Sequence, residues 1–435
     1  MIPLYQDAAE IERMIQVSDD DSLASDDRAL SRAAVEARVL GILQEVQSQG
    51  DAALGKIITR LSDPVLPESK RDKTCPWRLS KEALQEAAQN IEPETRDILE
   101  YAAANIRQFA EAAMASVQPV HLSHEGFEVG LNWTAIERVA CYVPAGRFPL
   151  PSTALMTAMT AKVAGVCDIC IVSPKLTDEV VAAGVIAGAS SFYQLGGAHA
   201  VATMAYGTES IRPVSMVVGP GNAYVTEAKR QLQGVIGIDM LAGPSEVVII
   251  ADKDANPEWV AWDLLAQAEH SPDACAYLLS DSLPLAESVR LELAKALSQE
   301  ALPEYLRASD SWGKIFVLQN LQQCVAICNQ LAPEHVELLV ATPEALKDHM
   351  KDYGALFMGY HTPVPFGDYA AGPNHTLPTN RSARFSGTLT PLTFLRPQSW
   401  IHATSAAQKL VRASEAFALT EGLIAHARSS ALRLK

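Results

Sequence analysis

The chain has 435 residues, a formal net charge of −16 and a hydrophobic content of 48%, values typical of a folded, soluble protein with at least two domains. Nucleic acid and anionic membrane surfaces are disfavoured as partners, because both require basic patches on the protein. The seven cysteines match neither a zinc ribbon nor a disulfide framework, and the N-terminal residues form no apolar leader, so we expect a cytoplasmic protein that acts on a small molecule.

The first part of the chain has helical periodicity. Apolar residues recur at three- and four-residue spacing in Ala33–Ser48, Lys81–Asn90 and Pro93–Ala112, which predicts amphipathic helices. The segment Val120–Trp133 alternates weakly between apolar and polar residues and suits a short strand pair.

From Arg138 onward, strand-like apolar runs alternate with helical stretches, and a second such series begins at Glu246. This alternation predicts parallel sheets with crossover helices. We therefore expect an α/β fold with two Rossmann-like parallel-sheet units, at 119–245 and 246–385. A helical N-terminal region at 1–118 is expected to pack on the second α/β unit, and a helical C-terminal arm at 386–435 to end in one helical stretch, Ala406–Leu434.

A carboxylate and an imidazole stand side by side at Glu334 and His335, just ahead of an apolar run that predicts a buried strand. Pro333 removes a backbone donor and disfavours helix at the residue before it, so we expect the preceding helix to end near Leu331 and to leave both side chains on a connection. A histidine and an adjacent glutamate suit two separate proton-transfer tasks. The same dipeptide is also common as an ordinary solvated pair in loops.

Three further polar stretches accompany this pair. They are Asp263–Asp273, with the sequence DLLAQAEHSPD; Phe366–Thr379, a loop with the sequence FGDYAAGPNHTLPT; and Glu421–Ala427, with the sequence EGLIAHA. In their order and spacing, the four stretches resemble the histidinol dehydrogenase family over nearly the whole chain, most weakly before about residue 80. The resemblance implies a zinc-dependent, NAD-linked oxidoreductase of histidine biosynthesis.

Imidazole nitrogen and carboxylate oxygen suit zinc, whereas an amide oxygen is an uncommon zinc ligand. Gln267 and His270 lie three residues apart in a helical pattern and share a face, although such a pair alone usually faces solvent. The resemblance implies one zinc ion per chain, bound by Gln267, His270, Asp368 and His426. Glu421 lies five residues before His426, about 140° away around one helix, so we expect Glu421 to touch the substrate instead.

Three glycine-rich turns follow predicted strands, at Gly196–His199, Gly219–Asn222 and Ala242–Ser245. Glycine lets a backbone approach a ligand closely, and the amides of a following helix attract phosphate. None of the turns has the G-x-G-x-x-G fingerprint, and each can also be a simple tight turn. The resemblance implies NAD bound in a non-standard manner by Tyr142, His199 and Asn222.

Two positions depart from the family pattern near these cofactor contacts. Glutamine is usual at the position of His199, and an imidazole offers one donor and one acceptor in a ring of another shape. Ala145 likewise replaces a glycine that is usual in the family. Both changes concern the cofactor and substrate approaches rather than the metal or the base.

The resemblance further implies two successive NAD-dependent oxidations, of L-histidinol to L-histidinaldehyde and then to L-histidine. His335 would be the general base in both hydride steps, and Glu334 would activate the water that hydrates the aldehyde. The substrate's imidazole and amino group would bind the metal. The residues expected to contact the substrate are Ser245, Gln267, His270, Glu334, Asp368, His375, Glu421 and His426. The family also implies a homodimer in which the C-terminal arm reaches across to the second subunit.

Two other functions are compatible with part of this residue set. A related NAD-dependent dehydrogenase of another small polar alcohol, such as a sulfonated diol, would keep the metal and the base but change the substrate pocket. A metal-dependent hydrolase, in which His335 or Glu334 activates water, would need no nicotinamide. A non-catalytic binding protein is least favoured, because every polar residue expected at the metal and base sites is present.

Overall fold

The computed structural model describes residues 2–7, 10–11, 14, 32–145 and 149–434. The helices with defined bounds are α1 (Arg32–Leu61), α2 (Lys81–Gln89), α3 (Pro93–Ala115), α4 (Pro151–Val163), α5 (Asp178–Ile186), α6 (Gly197–Tyr206), α7 (Ala223–Leu232), α8 (Pro257–Ala268), α9 (Leu283–Gln299), α10 (Tyr305–Ala308), α11 (Leu321–Leu331), α12 (Pro343–Lys347), α13 (Val364–Tyr369), α14 (Gln408–Thr420) and α15 (Ile424–Ala431).

The strands are β1 (Leu4–Tyr5), β2 (Val120–His124), β3 (Phe127–Ala135), β4 (Arg138–Tyr142), β5 (Asp168–Ser173), β6 (Ser191–Gln194), β7 (Met216–Val218), β8 (Gly237–Ile238), β9 (Glu246–Ala251), β10 (Cys275–Ser280), β11 (Gly313–Val317), β12 (His335–Leu339), β13 (Ala355–Met358) and β14 (Leu395–Ala403).

Strands β4 to β8 form a five-stranded parallel sheet in the order β6-β5-β4-β7-β8. The chain enters this sheet in the middle at β4, adds β5 and β6 on one side, and then crosses over to add β7 and β8 on the other. In doubly wound sheets, ligands bind at the carboxyl ends of the two strands between which the direction changes. Those strands are β4 and β7, which end at Tyr142 and Val218.

Helices cover both faces of the five-stranded sheet. One face buries Val139 and Ile169 against α4 and α5, and the other buries Ala140 and Val172 against α6 and α7. Because neighbouring strand residues point to opposite faces, a strand covered on both sides is apolar at nearly every position. This explains why β4 is buried along its whole length.

The N-terminal helices pack mainly on this first unit, with α1 against α6 and α7, α2 against α5, and α3 against α4. The short strand β1 instead joins the second unit, where it pairs with β11. The prediction that residues 1–118 pack on the second α/β unit is therefore wrong for α1 to α3, while residues 8–9, 12–13 and 15–31 lie outside the described part. An apolar stripe identifies a buried face of a helix but not the element that covers it.

Strands β1 and β9 to β13 form a six-stranded parallel sheet in the order β1-β11-β10-β9-β12-β13. Helices α8 and α9 cover one face of it and α11 covers the other. Strand β12 is buried throughout and alternates between the layers, with Leu339 on the α8 side and Val336 and Leu338 on the α11 side. By the same alternation, His335 and Glu337 face α8. The two parallel sheets confirm the predicted α/β class.

A third, antiparallel sheet has the order β14-β3-β2. Strands β2 and β3 confirm the strand pair predicted in Val120–Trp133. Strand β14 contradicts the prediction of a wholly helical arm at 386–435. Its side chains are mostly exposed and Pro397 lies within it, so the sequence shows neither the apolar alternation nor the composition of an ordinary strand.

The end of the chain forms two helices, α14 and α15, rather than the single stretch Ala406–Leu434. Gly422 separates them with a φ of 75°, a backbone conformation that favours glycine. The two helices pack mainly on each other. Phe417 and Ile424 are 72% and 67% exposed, so the arm presents large apolar side chains to solvent in the single chain.

The carboxyl edge of the five-stranded sheet faces the amino edge of the six-stranded sheet. Residues 239–245 connect β8 directly to β9. The loop after α13 returns to the first unit, where Asn374 Nδ2 donates to the Met156 carbonyl at 2.8 Å and Asn105 Nδ2 donates to the Ala370 carbonyl at 2.9 Å. We call the region between these two sheet edges the cleft.

Within the described residues, no helix combines the length and the apolar character needed to cross a bilayer.

Helix α1 breaks at Gly50, whose φ of 54° and ψ of −131° strain any residue with a Cβ. A Cβ there would overlap the Glu209 carboxylate, which accepts the Asp51 amide hydrogen at 2.8 Å. We predict that Gly50→Ala lowers the free energy of unfolding, measured by urea denaturation, by about 1–3 kcal/mol.

The matched control for this prediction is Gly41→Ala in the same helix, where nothing approaches the new Cβ within 4 Å. Since alanine favours helix over glycine, this variant should keep the wild-type stability or gain up to about 1 kcal/mol. An equal loss in both variants would contradict the special role of Gly50.

Candidate active site

The imidazole of His335 is held by its Nδ1 atom. This nitrogen lies 3.1 Å from the Glu246 carbonyl on the neighbouring strand β9, and because a carbonyl only accepts, Nδ1 must carry the hydrogen. In the neutral ring, Nε2 is then the unprotonated nitrogen. Nε2 is buried without a hydrogen-bond partner among the described residues and lies 3.6 Å from Asp368 Oδ1. It is therefore positioned to accept a proton.

The chain that leads into this residue follows the prediction in part. Helix α11 ends at Leu331, as expected. Glu334 lies on the connection, whereas His335 already pairs with Val247 as the first residue of β12. The two side chains are only 6% and 4% exposed, so they are not an ordinary solvated pair.

Glu334 is held by the same neighbouring strand. Its Oε2 accepts the Glu246 amide hydrogen at 3.1 Å and lies 3.6 Å from His335 Nδ1, and the Ser245 side chain lies beside the carboxylate. Burial raises the pKa of Glu334, although His335 opposes this shift. Burial lowers the pKa of His335, but the Glu334 and Asp368 carboxylates outweigh it and raise that pKa to about 9. In this arrangement the ring is therefore mostly protonated at neutral pH, and it must lose a proton before Nε2 can act as a base.

Asp368 lies near the end of α13. Burial alone would raise the pKa of this carboxyl group, but His335 and, more weakly, His375 and His270 bring it below its ordinary value. His375 donates from Nδ1 to the Asp368 carbonyl at 2.7 Å, and its Nε2 lies 3.3 Å from the Thr153 hydroxyl at the start of α4. His375 thus connects the candidate site to the first α/β unit.

Gln267 lies near the end of α8 and is 3% exposed. Neither atom of its side-chain amide has a hydrogen-bond partner among the described residues, which is costly for a buried polar group and typical of a site that receives a ligand or an ion. Helix α8 ends at Ala268, so His270 lies beyond it and the two residues do not share a helical face as predicted. His270 is exposed yet close enough to lower the pKa of Asp368.

Two predicted site residues are not brought to this cluster within one chain. Glu421 ends α14 and His426 lies in α15, so they occupy different helices rather than one. Both are exposed and line a shallow concavity formed only by residues of the arm. Across the described parts of the chain, no three His, Cys, Asp or Glu side chains are arranged to hold a metal ion.

The predicted cofactor residues Tyr142 and Asn222 lie at the carboxyl ends of β4 and β7, where the winding of the first sheet changes direction. The Tyr142 hydroxyl accepts the Gly197 amide hydrogen at the start of α6 at 3.1 Å, and burial raises the pKa of Tyr142 to about 12. Asn222 caps α7 by accepting the amide hydrogens of Tyr224 and Val225.

Gly219 lets these two strand ends meet. Its φ is 106°, and a Cβ at this position would overlap the carbonyl oxygen of Tyr142. The glycine is therefore required by both its backbone conformation and a close approach.

His199 lies inside α6 and is 1% exposed. Its Nε2 is 3.2 Å from Asp63 Oδ2 but lacks the alignment of a hydrogen bond. Burial lowers the pKa of His199 to about 4, and Arg60 adds to this shift. The ring is therefore neutral at neutral pH, and it packs towards the segment that follows α1.

Sequence reasoning missed three acidic residues around the site. Glu246 holds both Glu334 and His335 through its backbone. Glu337 is fully buried in β12, and its carboxyl group lies beside that of Asp263 in α8. Glu337 could have been found, because a charged residue inside the apolar run Val336–Val340 is unusual. Glu246 could not, because a contact made by the backbone leaves no signal in the sequence.

Comparison with known proteins supplies the family. The histidinol dehydrogenase family model matches residues 26–434. Histidinol dehydrogenase 1 of a Nostoc species is 43% identical over 423 residues, which cover 95% of each chain. Histidinol dehydrogenase of Zymomonas mobilis is 40% identical over 415 residues, covering 94% of this chain and 95% of that one.

The same family appears among solved structures. The crystal structure of histidinol dehydrogenase from Elizabethkingia anophelis superimposes with a TM-score of 0.88 at 29% identity, and the match covers 100% of this chain and 98% of that one. The fold, the polar cluster at the sheet edge and the match along nearly the whole sequence agree, and the chain belongs to the histidinol dehydrogenase family of oxidoreductases.

Proposed function

We propose that this protein oxidises L-histidinol to L-histidine through L-histidinaldehyde, in two NAD-linked steps of histidine biosynthesis in the cytoplasm. The observation that carries the proposal is the state of the buried His335 imidazole. The Glu246 carbonyl accepts a hydrogen bond from Nδ1, and Nε2 has no hydrogen-bond partner among the described residues. A positioned imidazole of this kind suits an alcohol oxidation, which must remove a proton and a hydride together.

In the first step, His335 takes the proton of the substrate's hydroxyl group, and NAD, when bound, would supply the acceptor for the hydride that leaves the carbon bearing that group. The resulting aldehyde gains water to give a hydrate. His335 releases its proton to solvent and then takes a hydroxyl proton of the hydrate in the second oxidation. The carboxylic acid forms in this second step. Each oxidation releases one proton and one hydride, so two NAD molecules are reduced per histidinol.

Glu334 acts between the two oxidations. Its buried carboxyl group lies beside His335 but is held separately by the Glu246 amide, with the Ser245 side chain beside it. Burial raises its pKa towards the range in which a carboxylate removes a proton from water effectively. We assign to it the activation of the water that adds to the aldehyde.

We infer one zinc ion per chain, which Gln267, His270 and Asp368 of the cluster would hold together with His426 from the arm of a second copy. Imidazole and carboxylate groups are ordinary zinc ligands, and the unpartnered buried amide of Gln267 supports its inclusion. When bound, zinc would hold the imidazole and amino group of the substrate in one orientation. Ser245, His375 and Glu421 complete the proposed substrate contacts.

The first α/β unit, residues 119–245, fits NAD. Tyr142 and Asn222 lie at the two strand ends where doubly wound sheets bind their ligands, and α6 and α7 begin beside them, so that the positive ends of both helices favour a diphosphate there. We assign His199 to the same cofactor region, since Asp63 contributes to the electrostatic surroundings of Tyr142 and also lies beside His199. The second unit, residues 246–385, carries the metal and the base.

The functional assembly that we propose is a homodimer with exchanged C-terminal arms. His426 and Glu421 are exposed on an arm that packs mainly on itself and presents Phe417 and Ile424 to solvent. An arm from a second copy can complete the cluster around Asp368, and it would bury these apolar side chains at the same time.

The function is tested by the stoichiometry of the reaction. With limiting L-histidinol and excess NAD, we expect two NADH per histidinol, because two hydrides leave one carbon. The measurement is absorbance at the NADH band together with quantification of histidine. One NADH per substrate would mean that oxidation stops at the aldehyde. Consumption of a substrate without NADH or histidine would contradict the proposed oxidation and favour a hydrolase.

Glu334→Gln should separate the two oxidations. Because general-base assistance is worth about 10²–10⁴-fold, oxidation of histidinaldehyde should fall by that factor while histidinol oxidation continues, each measured at saturating NAD. His335→Asn is the comparison variant and should slow both reactions. If Glu334→Gln slows both equally, the glutamate instead orients His335 or holds the substrate.

Arm exchange is tested by mixing subunits. Asp368→Ala and His426→Ala should each be inactive alone. When the two chains are co-expressed, half of the dimers are mixed, and one of the two sites in each mixed dimer has both residues, so about a quarter of wild-type activity should return. If the two residues act within one chain, no activity returns. The negative control is Asp368→Ala co-expressed with a second gene for the same variant, which should show no activity.

A further inference from the structure

Glu337 is an acidic residue in the middle of the buried strand β12. It lies two residues after His335 and faces α8 with it, and its exposure is 0%. The neighbours Val336 and Leu338 face the opposite layer. Neither the reaction nor the proposed metal site uses this carboxyl group.

One oxygen of Glu337 holds the start of α13. Its Oε1 accepts the amide hydrogen of Val364, the first residue of that helix, at 2.8 Å. The helix has no side-chain cap of its own, because Pro363 stands at the N-cap position. Asp368 lies four residues after Val364, about one turn along the same short helix. The position of Asp368 is thus tied to strand β12.

The Glu337 carboxyl group also lies beside the Asp263 carboxyl group of α8. Since two carboxylates repel each other, this buried pair is favourable only when it holds a proton. Burial raises the pKa of Asp263 to about 6, and burial together with Asp263 raises the pKa of Glu337 well above its ordinary value. Oε2 of Glu337 accepts no hydrogen bond among the described residues, so it is the oxygen that is available to share a proton with Asp263.

Stability alone does not explain this arrangement. A buried carboxyl group loses its hydration, and apolar residues of similar volume often replace buried polar pairs without loss of stability. The surrounding layer is apolar, with Leu264, Leu265 and Leu339 in one cluster. Hydrogen bonds, unlike apolar contacts, fix direction and register, and groups behind the ligands commonly serve to orient them.

We propose that Glu337 is a positioning residue that joins β12, α8 and α13 through one carboxyl group and so sets the spacing of His335, Gln267 and Asp368. Asp263 is its partner, one helical turn before Gln267. The inference rests on the proposed function in that Gln267 and Asp368 are taken as metal ligands.

The test compares three variants of the full-length protein. Glu337→Met has a similar length and removes both hydrogen bonds, whereas Glu337→Gln keeps an acceptor for Val364 and a donor for Asp263. Leu338→Ala is the matched control, because it creates a cavity next to Glu337 but on the opposite face of the strand. Zinc affinity is measured with Zn²⁺ in competition with a chelator, and Tm is measured on the metal-free proteins.

We expect Glu337→Met to bind zinc about 10–100-fold more weakly and Glu337→Gln to stay within a few-fold of wild type. Leu338→Ala should lower Tm at least as much as Glu337→Met while keeping its zinc affinity. Wild-type zinc affinity in Glu337→Met would overturn the inference. Equal zinc losses in Glu337→Met and Leu338→Ala would overturn it as well, since the effect would then follow stability alone.

A second readout separates this inference from the proposed function. If the wild-type protein binds no zinc, the metal assignment fails. Hydrogen exchange of the metal-free protein then decides the role of Glu337. Faster exchange at residues 364–369 in Glu337→Met, but not in Glu337→Gln or Leu338→Ala, supports positioning, and unchanged exchange in Glu337→Met overturns it.

Discussion

The register of β12 against β9 determines which face of the six-stranded sheet carries the candidate base. His335 pairs with Val247, and this pairing places Nδ1 within reach of the Glu246 carbonyl. A slip of one residue would turn the imidazole to the α11 layer and bring Val336 into its place. This pairing therefore determines the tautomer of His335 and its distance to Asp368. It also determines the hydrogen bond that Glu334 accepts from the Glu246 amide.

Much of the fold could be predicted from the sequence, because strand–helix alternation and the end of α11 at Pro333 are local signals. The partners of α1 to α3 could not, since periodicity defines a face and not what covers it. Strand β14 was missed because it is exposed and contains Pro397. It owes its conformation to pairing with β3, which no local pattern reveals.

Only some residues of the candidate site could be predicted from the sequence. Motifs identified Glu334, His335 and Asp368, which the fold brings together from distant parts of the chain. Glu246 acts through its backbone, and backbone contacts are independent of side-chain identity. For His426 and Glu421 the sequence motif is clear, but the single chain places both residues on the exposed arm and away from the cluster. The sequence pattern alone does not say what these two side chains contact.

The opposed edges of the two sheets also impose an electric field on the cleft. Helices α6 and α7 begin at the edge of the first sheet, so their positive ends point into the cleft, whereas α8 and α11 end at the edge of the second sheet with their negative ends towards it. Each helix end is equivalent to about half an elementary charge. The cleft therefore favours an anion on one wall and a cation on the other, so that a charged ligand is oriented by the backbone before any side chain contacts it.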